Sequence, residues 1–551
     1  TKSMFDLRKL FQNGIVYPTE RKGFPMSEPV FKPCMQNQPM LFPPDVSDLI
    51  PANAMVRAVD SIVNSLDRKT LTDLYPGGGA SAYDPFMMLK VVLYSYAKGI
   101  YSSRKIAQAT REDVNLLWLT GMHPLEHNTV NRFRSARIRP VFEQVFTSVI
   151  LLLADAGMVD LDTYFLDGTK IEANAGKFTF VWSRSTDRYT ERLRAKVHAH
   201  LQAIDELNDE EEALAPEEPE TIDAEKIRQA ADEINRRLRE KGESKDPGDK
   251  AEAKELRRAE RAFRKDYLPR MEKYERQAEV LDGRSSYSKT DHDATFMRMK
   301  DDHMGNGQLK AGYNVQVGTF DQFIICSTLH RRPGDTACAI PHLEHLRPLL
   351  GRLPRNVVAD AGYGSEENYA YLQAQGVNAY VKHGEFFREI KNPKWRNDPF
   401  RPANWAHDEA TDAYACPEGR RLEFQGVRSS KSDLGFVTEY RKYRCSGCDG
   451  CPSRKECMKN PDSKYGKTLQ VNERLRAFKE KASAMLCAEP GISLRKKRAV
   501  DVETVFGDIK RNMGFTRFTL RGLAKAELEF RLIAMGHNIR KMMRAMEKAG
   551  A

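Results

Sequence analysis

Two aspartates stand where short apolar runs end. Tyr164-Phe165-Leu166 leads into Asp167, and Val357-Val358-Ala359 leads into Asp360. Such runs read as buried strands, and in α/β sheets ligands gather at the carboxyl ends of strands. A pair of carboxylates there could hold hard divalent cations, which prefer oxygen ligands. Two ions about 3.5–4 Å apart can activate an attacking oxygen and neutralise a leaving one at a phosphate. A lone strand-end aspartate serves equally well as a turn or helix cap, so spacing alone does not pair these two. Asp293, Asp301, Asp302 and Asp335 are rival carboxylates.

A second chemistry is written in thiols. Cys445, Cys448, Cys451 and Cys457 crowd together, and Cys416 stands upstream in Cys416-Pro417-Glu418-Gly419. Thiolates at this spacing suit tetrahedral zinc in a structural role, because no histidine or open-site carboxylate accompanies them. Zinc takes four ligands. Cys416, Cys448, Cys451 and Cys457 are the favoured set, since ligand pairs from separate strands close a small module; Cys445 is the alternate. An iron–sulfur cluster fits the same spacing. Cys34, Cys326, Cys338 and Cys487 read as ordinary buried residues.

These groups need elements to position them. Residues 1–45 are proline-rich with few periodic apolar positions and read as an arm. From 46 to 154 the periodicity is helical: Met88, Val91, Val92 and Tyr96 share one stripe, and Ile106, Leu116, Leu117 and Leu119 mark further short helices. Within this region Ser102 to Ala107 and His127 to Arg134 suggest a helix-turn-helix-like pair, with Asn131, Arg132 and Arg134 placed to reach bases or phosphates.

Residues 185–284 are highly charged. Ile227, Ala231, Ile234 and Leu238 recur at helical spacing, as do Leu256, Ala259, Phe263 and Tyr267, with a Gly/Pro break from Gly242 to Asp249. A long helical hairpin is expected. Strand patterns resume at Tyr313–Val317 and Phe323–Cys326, then alternate with helices at 340–350 and 366–375 and strands at 357–359 and 379–381. Two antiparallel strands followed by this alternation imply a mixed α/β sheet. The cysteine-bearing stretch 385–475 interrupts it, and the C-terminus is helical from about 495.

Across 551 residues, Lys and Arg (88) outnumber Asp and Glu (77), a net charge of +11 that favours a polyanionic partner such as nucleic acid. No apolar run approaches the ~18 residues of a membrane span. Thr1 to Asp6 lacks a basic-then-apolar leader, so a cytosolic location is expected, and there clustered cysteines argue for metal over disulfides.

Longer motifs carry a resemblance. Tyr164 to Asn174 resembles the first-aspartate segment of bacterial insertion-sequence DDE transposases, in the branch with a cysteine-rich insertion. Val358 to Ser365 resembles their second-aspartate segment, and Val502 to Lys510 their glutamate segment, with Lys510 seven residues after Glu503. Ser288 to Asp291, Tyr313 to Gln316 and His537 to Lys541 extend the likeness over nearly the whole chain.

The resemblance implies an RNase H-like mixed-sheet catalytic core, built from 155–184, 285–384 and 476–551, in which Asp167, Asp360 and Glu503 hold magnesium or manganese. It also implies an N-terminal helical DNA-binding domain at 46–154, a charged helical insertion at 185–284 and a zinc-binding insertion at 385–475. On an α-helix Glu503 and Lys510 lie two turns apart on one face, so the glutamate can face metal while the lysine meets phosphate. The family's usual arginine stands four before the glutamate; here Ala499 occupies that place and Arg498 precedes it. Arg498, Arg511 and Arg517 join Lys510, Arg132 and Arg134 as candidate DNA contacts, with Arg521 also flanking. Asp291 and Asp335 resemble recurrent family positions with structural roles. His537 reads as a packing or capping residue.

The implied activity is metal-dependent cleavage at the element's ends and strand transfer into target DNA. Its partners would be double-stranded DNA, as terminal inverted repeats and target, and a second copy of the chain; its location would be the bacterial cytoplasm, at the nucleoid. A domesticated DNA-binding protein and a host nuclease of the same fold are the alternatives.

Overall fold

The computed structural model describes residues 45–75, 82–206, 214–242, 246–299 and 307–550. The expected arm, Cys34, Asp301 and Asp302 lie outside them, as does part of the Gly242–Asp249 break. The chain divides into a short unit, 1–49, whose described part is the turn Val46–Leu49, and a second unit from Ile50 onward.

The second unit is built on a mixed sheet. Its strands are β1 (Thr163–Glu172), then, after a small two-stranded ribbon of β2 (Phe180–Trp182) and β3 (Ser286–Ser288), β4 (Thr295–Arg298), β5 (Leu309–Phe320), β6 (Phe323–His330), β7 (Asn356–Ala359) and β8 (Asn378–Val381). β5 lies antiparallel to β1 on one side and to β4 and β6 on the other. β1, β7 and β8 run parallel, in the register Leu166 opposite Ala359 and Ala359 opposite Val381. Asp321 and Gln322 both take positive φ (46° and 66°) in the two-residue β5–β6 turn, the sign a tight hairpin requires.

Helices cover both the sheet and one another. Pro85–Ala97 begins with Pro85 at its first turn and the Asp84 carboxylate accepting from the Phe86 and Met87 amides. The sequence placed one apolar stripe on it. The structure buries Phe86, Met88, Leu89 and every residue from Val91 to Ala97, because Met55–Asn64, Val114–Thr120 and the terminal helix Leu523–Gly550 all pack against it. Leu523–Gly550 also packs on β6, so one continuous core runs from Ile50 through the sheet to Ile539. Among the described residues no helix is long and apolar enough to cross a membrane.

The charged region is larger than a hairpin. Ala224–Gly242 packs against Pro247–Ala262, as the two apolar stripes imply. That second helix continues through Phe263–Tyr267 to Leu281, where it meets an additional helix, Ser183–Asp205. Leu193, Val197, Leu201 and Ile204 of this added helix complete a separate core with Ile227, Leu256 and Phe263. Local spacing could not reveal that partner, because its apolar stripe is thin and flanked by charge.

The cysteine-bearing region is an antiparallel sheet of β9 (Ala406–Asp408), β10 (Ala413–Ala415), β11 (Arg421–Lys431), β12 (Val437–Cys445) and β13 (Thr468–Val471), in the order β13-β12-β11-β10-β9. Trp405, Tyr414, Leu422, Tyr443 and Leu469 form its small core beside the cysteines.

Candidate active site

Asp167 and Asp360 become neighbours through strand pairing. The last paired residues of β1 and β7 are Leu166 and Ala359, and each aspartate is the next residue. Asp167 is buried within β1, whereas Asp360 opens the Ala361–Tyr363 turn and accepts from the Gly362 amide at 2.9 Å. Asp360 thus fills the capping role that a strand-end aspartate can take.

Glu503 arrives from elsewhere in the chain, on a helical segment running from Gly491 to Asn512. Val502 sits in an apolar cluster with Phe165, Val358 and Tyr380. Asp501 accepts from the Thr319 hydroxyl at 2.6 Å and the Gln322 amide at 3.0 Å, which fastens the segment to the β5–β6 hairpin. Burial pushes the Asp501 carboxyl up, against those two bonds. With Asp501 and Val502 held inward, Glu503 is left on the open side, its side chain 63% exposed.

One guanidinium joins the three carboxylates. Arg498 lies 2.7 Å from Asp167, 3.6 Å from Asp360 and 3.8 Å from Glu503. Its side chain is only 6% exposed. The residue expected among the DNA contacts is therefore a buried cation inside the carboxylate group. Three carboxylates from three elements surround one positive charge. Oxygen is the donor type a hard divalent ion takes, but here the guanidinium stands between them and their oxygens do not all lie within 4.8 Å of one another.

Around this site the neighbouring side chains form a polar scaffold. Asn314 and Gln316, both fully buried, donate to Asp335 Oδ1 at 2.8 and 2.9 Å, and the Tyr363 hydroxyl donates to Gln316 Oε1. Thr336 donates to the Gly362 carbonyl at 2.7 Å, tying the Asp335 loop to the Asp360 loop. Asp291 accepts from the Tyr313 hydroxyl, and Asp293 from the Leu523 amide.

The other expected DNA contacts separate into kinds. Arg132 and Arg511 are exposed. Arg517 donates to the Ala173 and Ala175 carbonyls, and Arg521 to the Asn174 carbonyl. Arg134 is a correction: it is 3% exposed and donates to the Tyr96 hydroxyl at 2.8 Å and to the Tyr101 carbonyl, which pins the N-terminal helices together. Its basic-helix setting gave no sign of this, since the acceptors come from the end of Pro85–Ala97 and the loop that follows it. Lys510 is half-buried. Wide π-helical turns at Ala499–Glu503 and Asp508–Asn512 break the α-helical spacing, so seven residues no longer make two turns. His537 bridges the Asp508 carboxylate and the Gln322 carbonyl, each at 2.8 Å, as a packing residue.

All five clustered cysteines line one cavity of about 20 Å³. Cys445 and Cys448 are buried and Cys416, Cys451 and Cys457 half-buried. The chemistry of this donor set fits zinc. A different trio, His383, Glu385 and Glu389, already has ligand atoms within 4.8 Å of one another. Arg401 and Lys479 neutralise its carboxylates, at 2.7 Å from Glu389 and 3.4 Å from Glu385.

Lys382, which the sequence reading did not single out, has its amide on the Ala359 carbonyl at 3.3 Å. It follows β8 and lies beside Asp360; a charged residue ending a parallel strand next to a strand-end aspartate was the available signal.

A mixed α/β protein with carboxylates gathered at parallel strand ends is thus the class that fold and site define. Residues 415–543 match a family described as Transposase DDE domain, a span that contains Glu503 and the five cysteines. Residues 44–136 match a family described as Transposase domain (DUF772), over the N-terminal helices. Both matches are to transposase domains, one toward each end of the chain. No curated protein and no solved structure matches the chain.

Proposed function

We propose that this chain is a transposase that cleaves DNA at the ends of an insertion sequence and joins the freed 3′ end to target DNA. Asp167, Asp360 and Glu503 would hold magnesium or manganese, which when bound would activate the attacking oxygen and stabilise the leaving one. The observation that carries this reading is that Arg498 touches all three carboxylates at once, although they come from β1, the end of β7 and a distant helix. A strand order of three antiparallel and then two parallel additions supports an RNase H-like core.

The rest of the chain has supporting parts in this reading. Asp501 and Val502 would aim Glu503, while the Asp335 network would hold the Asp360 loop. Arg132, Arg511, Lys510 and Arg517 would meet phosphate. Cys416, Cys448, Cys451 and Cys457, with Cys445 as alternate, would bind structural zinc. Two copies would act together, since two DNA ends must be joined, in the cytoplasm at the nucleoid.

The test is a plasmid carrying the DNA that flanks the coding region on both sides, incubated with magnesium. Wild type is expected to nick and join this DNA. Asp167→Asn and Glu503→Gln should abolish both reactions and leave gel-shift affinity within a few-fold. Binding without cleavage by wild type would favour a DNA-binding protein without turnover; cleavage without joining would favour a nuclease.

A further inference from the structure

The pairing among three neighbouring parallel strands stops in register, although β1 itself runs on to Glu172. Leu166 of β1 pairs with Ala359 of β7, which pairs with Val381 of β8. The next residues, Asp167, Asp360 and Lys382, therefore form a row across the strand ends and leave on one face, because side chains in register on parallel strands share a face. The Lys382 amide donates to the Ala359 carbonyl at 3.3 Å, so the register holds up to Lys382 itself.

The lysine's surroundings distinguish it from a solvated one. It is half-buried, and its ammonium stands 4.8 Å over the Phe387 ring. Among the described residues no carboxylate lies within the 4 Å of an ion pair with it. Burial, then the neighbouring Arg498 cation, pulls its ammonium below the usual lysine value, while Asp360 and Glu503 oppose that pull. Lys382 thus lies within the field of the carboxylate site without being neutralised by any member of it. Arg498, by contrast, is already engaged with all three carboxylates.

We infer that Lys382 is a catalytic residue whose ammonium donates to a non-bridging oxygen of the phosphate being cut. This rests on the proposed reading of the carboxylates as the cleavage site. The ammonium keeps its proton throughout and acts by charge. A fixed cation at developing negative charge contributes most in a partly dry site, and the contact with the half-exposed Phe387 ring favours one placement of the flexible stem.

The experiment compares wild type, Lys382→Ala, Lys382→Arg and Phe387→Ala on the same flanking DNA. Affinity is read by gel shift without divalent metal, and single-turnover cleavage is read with magnesium at saturating protein. For Lys382→Ala the cleavage rate should fall roughly 10- to 100-fold, with affinity within about threefold, because many other phosphate contacts set binding. Lys382→Arg should recover part of the rate, and Phe387→Ala, which frees the stem but keeps the charge, should lose less than Lys382→Ala.

Three results would overturn the inference: an unchanged rate in Lys382→Ala, a loss in affinity as large as the loss in rate, or an equal defect in Phe387→Ala. Thermal midpoints check folding, and failure of both Lys382 variants to fold would assign the residue to stability instead. Asp167→Asn separates the two levels. If it cleaves like wild type, the carboxylate reading fails and this inference with it; if it is dead while Lys382→Ala is fully active, only the lysine assignment fails.

Discussion

The guanidinium of Arg498 lies 2.7 Å from the carboxylate of Asp167, across 331 residues of sequence, and both side chains are almost wholly buried. A buried ion pair is weak evidence of net stabilisation, but removing one partner strands the other charge. Arg498→Ala should therefore lower stability by about 3–5 kcal/mol in chelator, measured by denaturant unfolding. Added magnesium or manganese should recover part of the loss, since either would supply the missing positive charge. A variant as stable as wild type in chelator would show that Asp167 does not depend on this cation.

Gly168 follows Asp167 with no room for a side chain. A Cβ there would meet Asp335 Oδ1 and Gln316 Nε2, each at 2.5 Å, and both atoms are held by the polar scaffold. Gly168→Ala should cost about 1–3 kcal/mol and slow cleavage as well. Gly507, in the glutamate-bearing helix, has open space where its Cβ would go, so Gly507→Ala should be neutral or stabilising by up to about 1 kcal/mol. Equal melting of the two variants would argue against a rigid Asp335 network.

Arg132 and Arg134 sit two residues apart but should behave oppositely. Arg132→Ala should weaken DNA binding and reduce the salt slope by about one, with little change in stability. Arg134→Ala removes a buried charged donor from Tyr96 and Tyr101 and should cost about 1.5–3 kcal/mol. A stable Arg134→Ala protein that had lost DNA affinity would reverse this assignment.

The cysteine cavity predicts zinc that survives gel filtration. Cys451→Ser or chelation should loosen residues 415–460, read by hydrogen exchange, before the carboxylate strands are affected, because this sheet has its own small core. Cys445→Ser should be milder if Cys416, Cys448, Cys451 and Cys457 are the ligands. Metal analysis without zinc, with all five thiols alkylated in folded protein, would dismiss the site.

Buried histidines predict acid sensitivity. Burial, and next the charge of Arg332, brings His330 down to about 4, and burial holds His342 well below the ordinary 6.5. His342 is enclosed between the Tyr164 and Thr328 hydroxyls at 2.6 and 2.7 Å. A depressed histidine is neutral when folded and takes up a proton on unfolding. Its contribution is whole above 6.5 and is lost as pH falls from there toward the folded value. Thermal midpoints should drop between pH 6.5 and 4, and His330→Gln should flatten that slope. A slope unchanged in the variant would exclude His330 as a source.

Local pattern carried part of this protein's design. Apolar triplets ending in Asp167 and Asp360 read as strands because burial on both faces leaves no alternation to mistake, and β1 and β7 lie where those triplets are. Motif likeness singled out Glu503, and the cysteine spacing marked one cluster that the fold keeps in one cavity. What spacing could not carry was everything decided by contacts between distant segments. Pairing of β1, β7 and β8 in register made one row of Asp167, Asp360 and Lys382. Burial of Asp501 and Val502 turned Glu503 outward, and Arg498 and Arg134, read as surface cations, went inside because acceptors far along the chain closed around them. Side-chain type and local period set which element forms and which face is apolar, whereas the partner of a charge depends on which strand or helix packs beside it, and that is fixed only when the whole core closes.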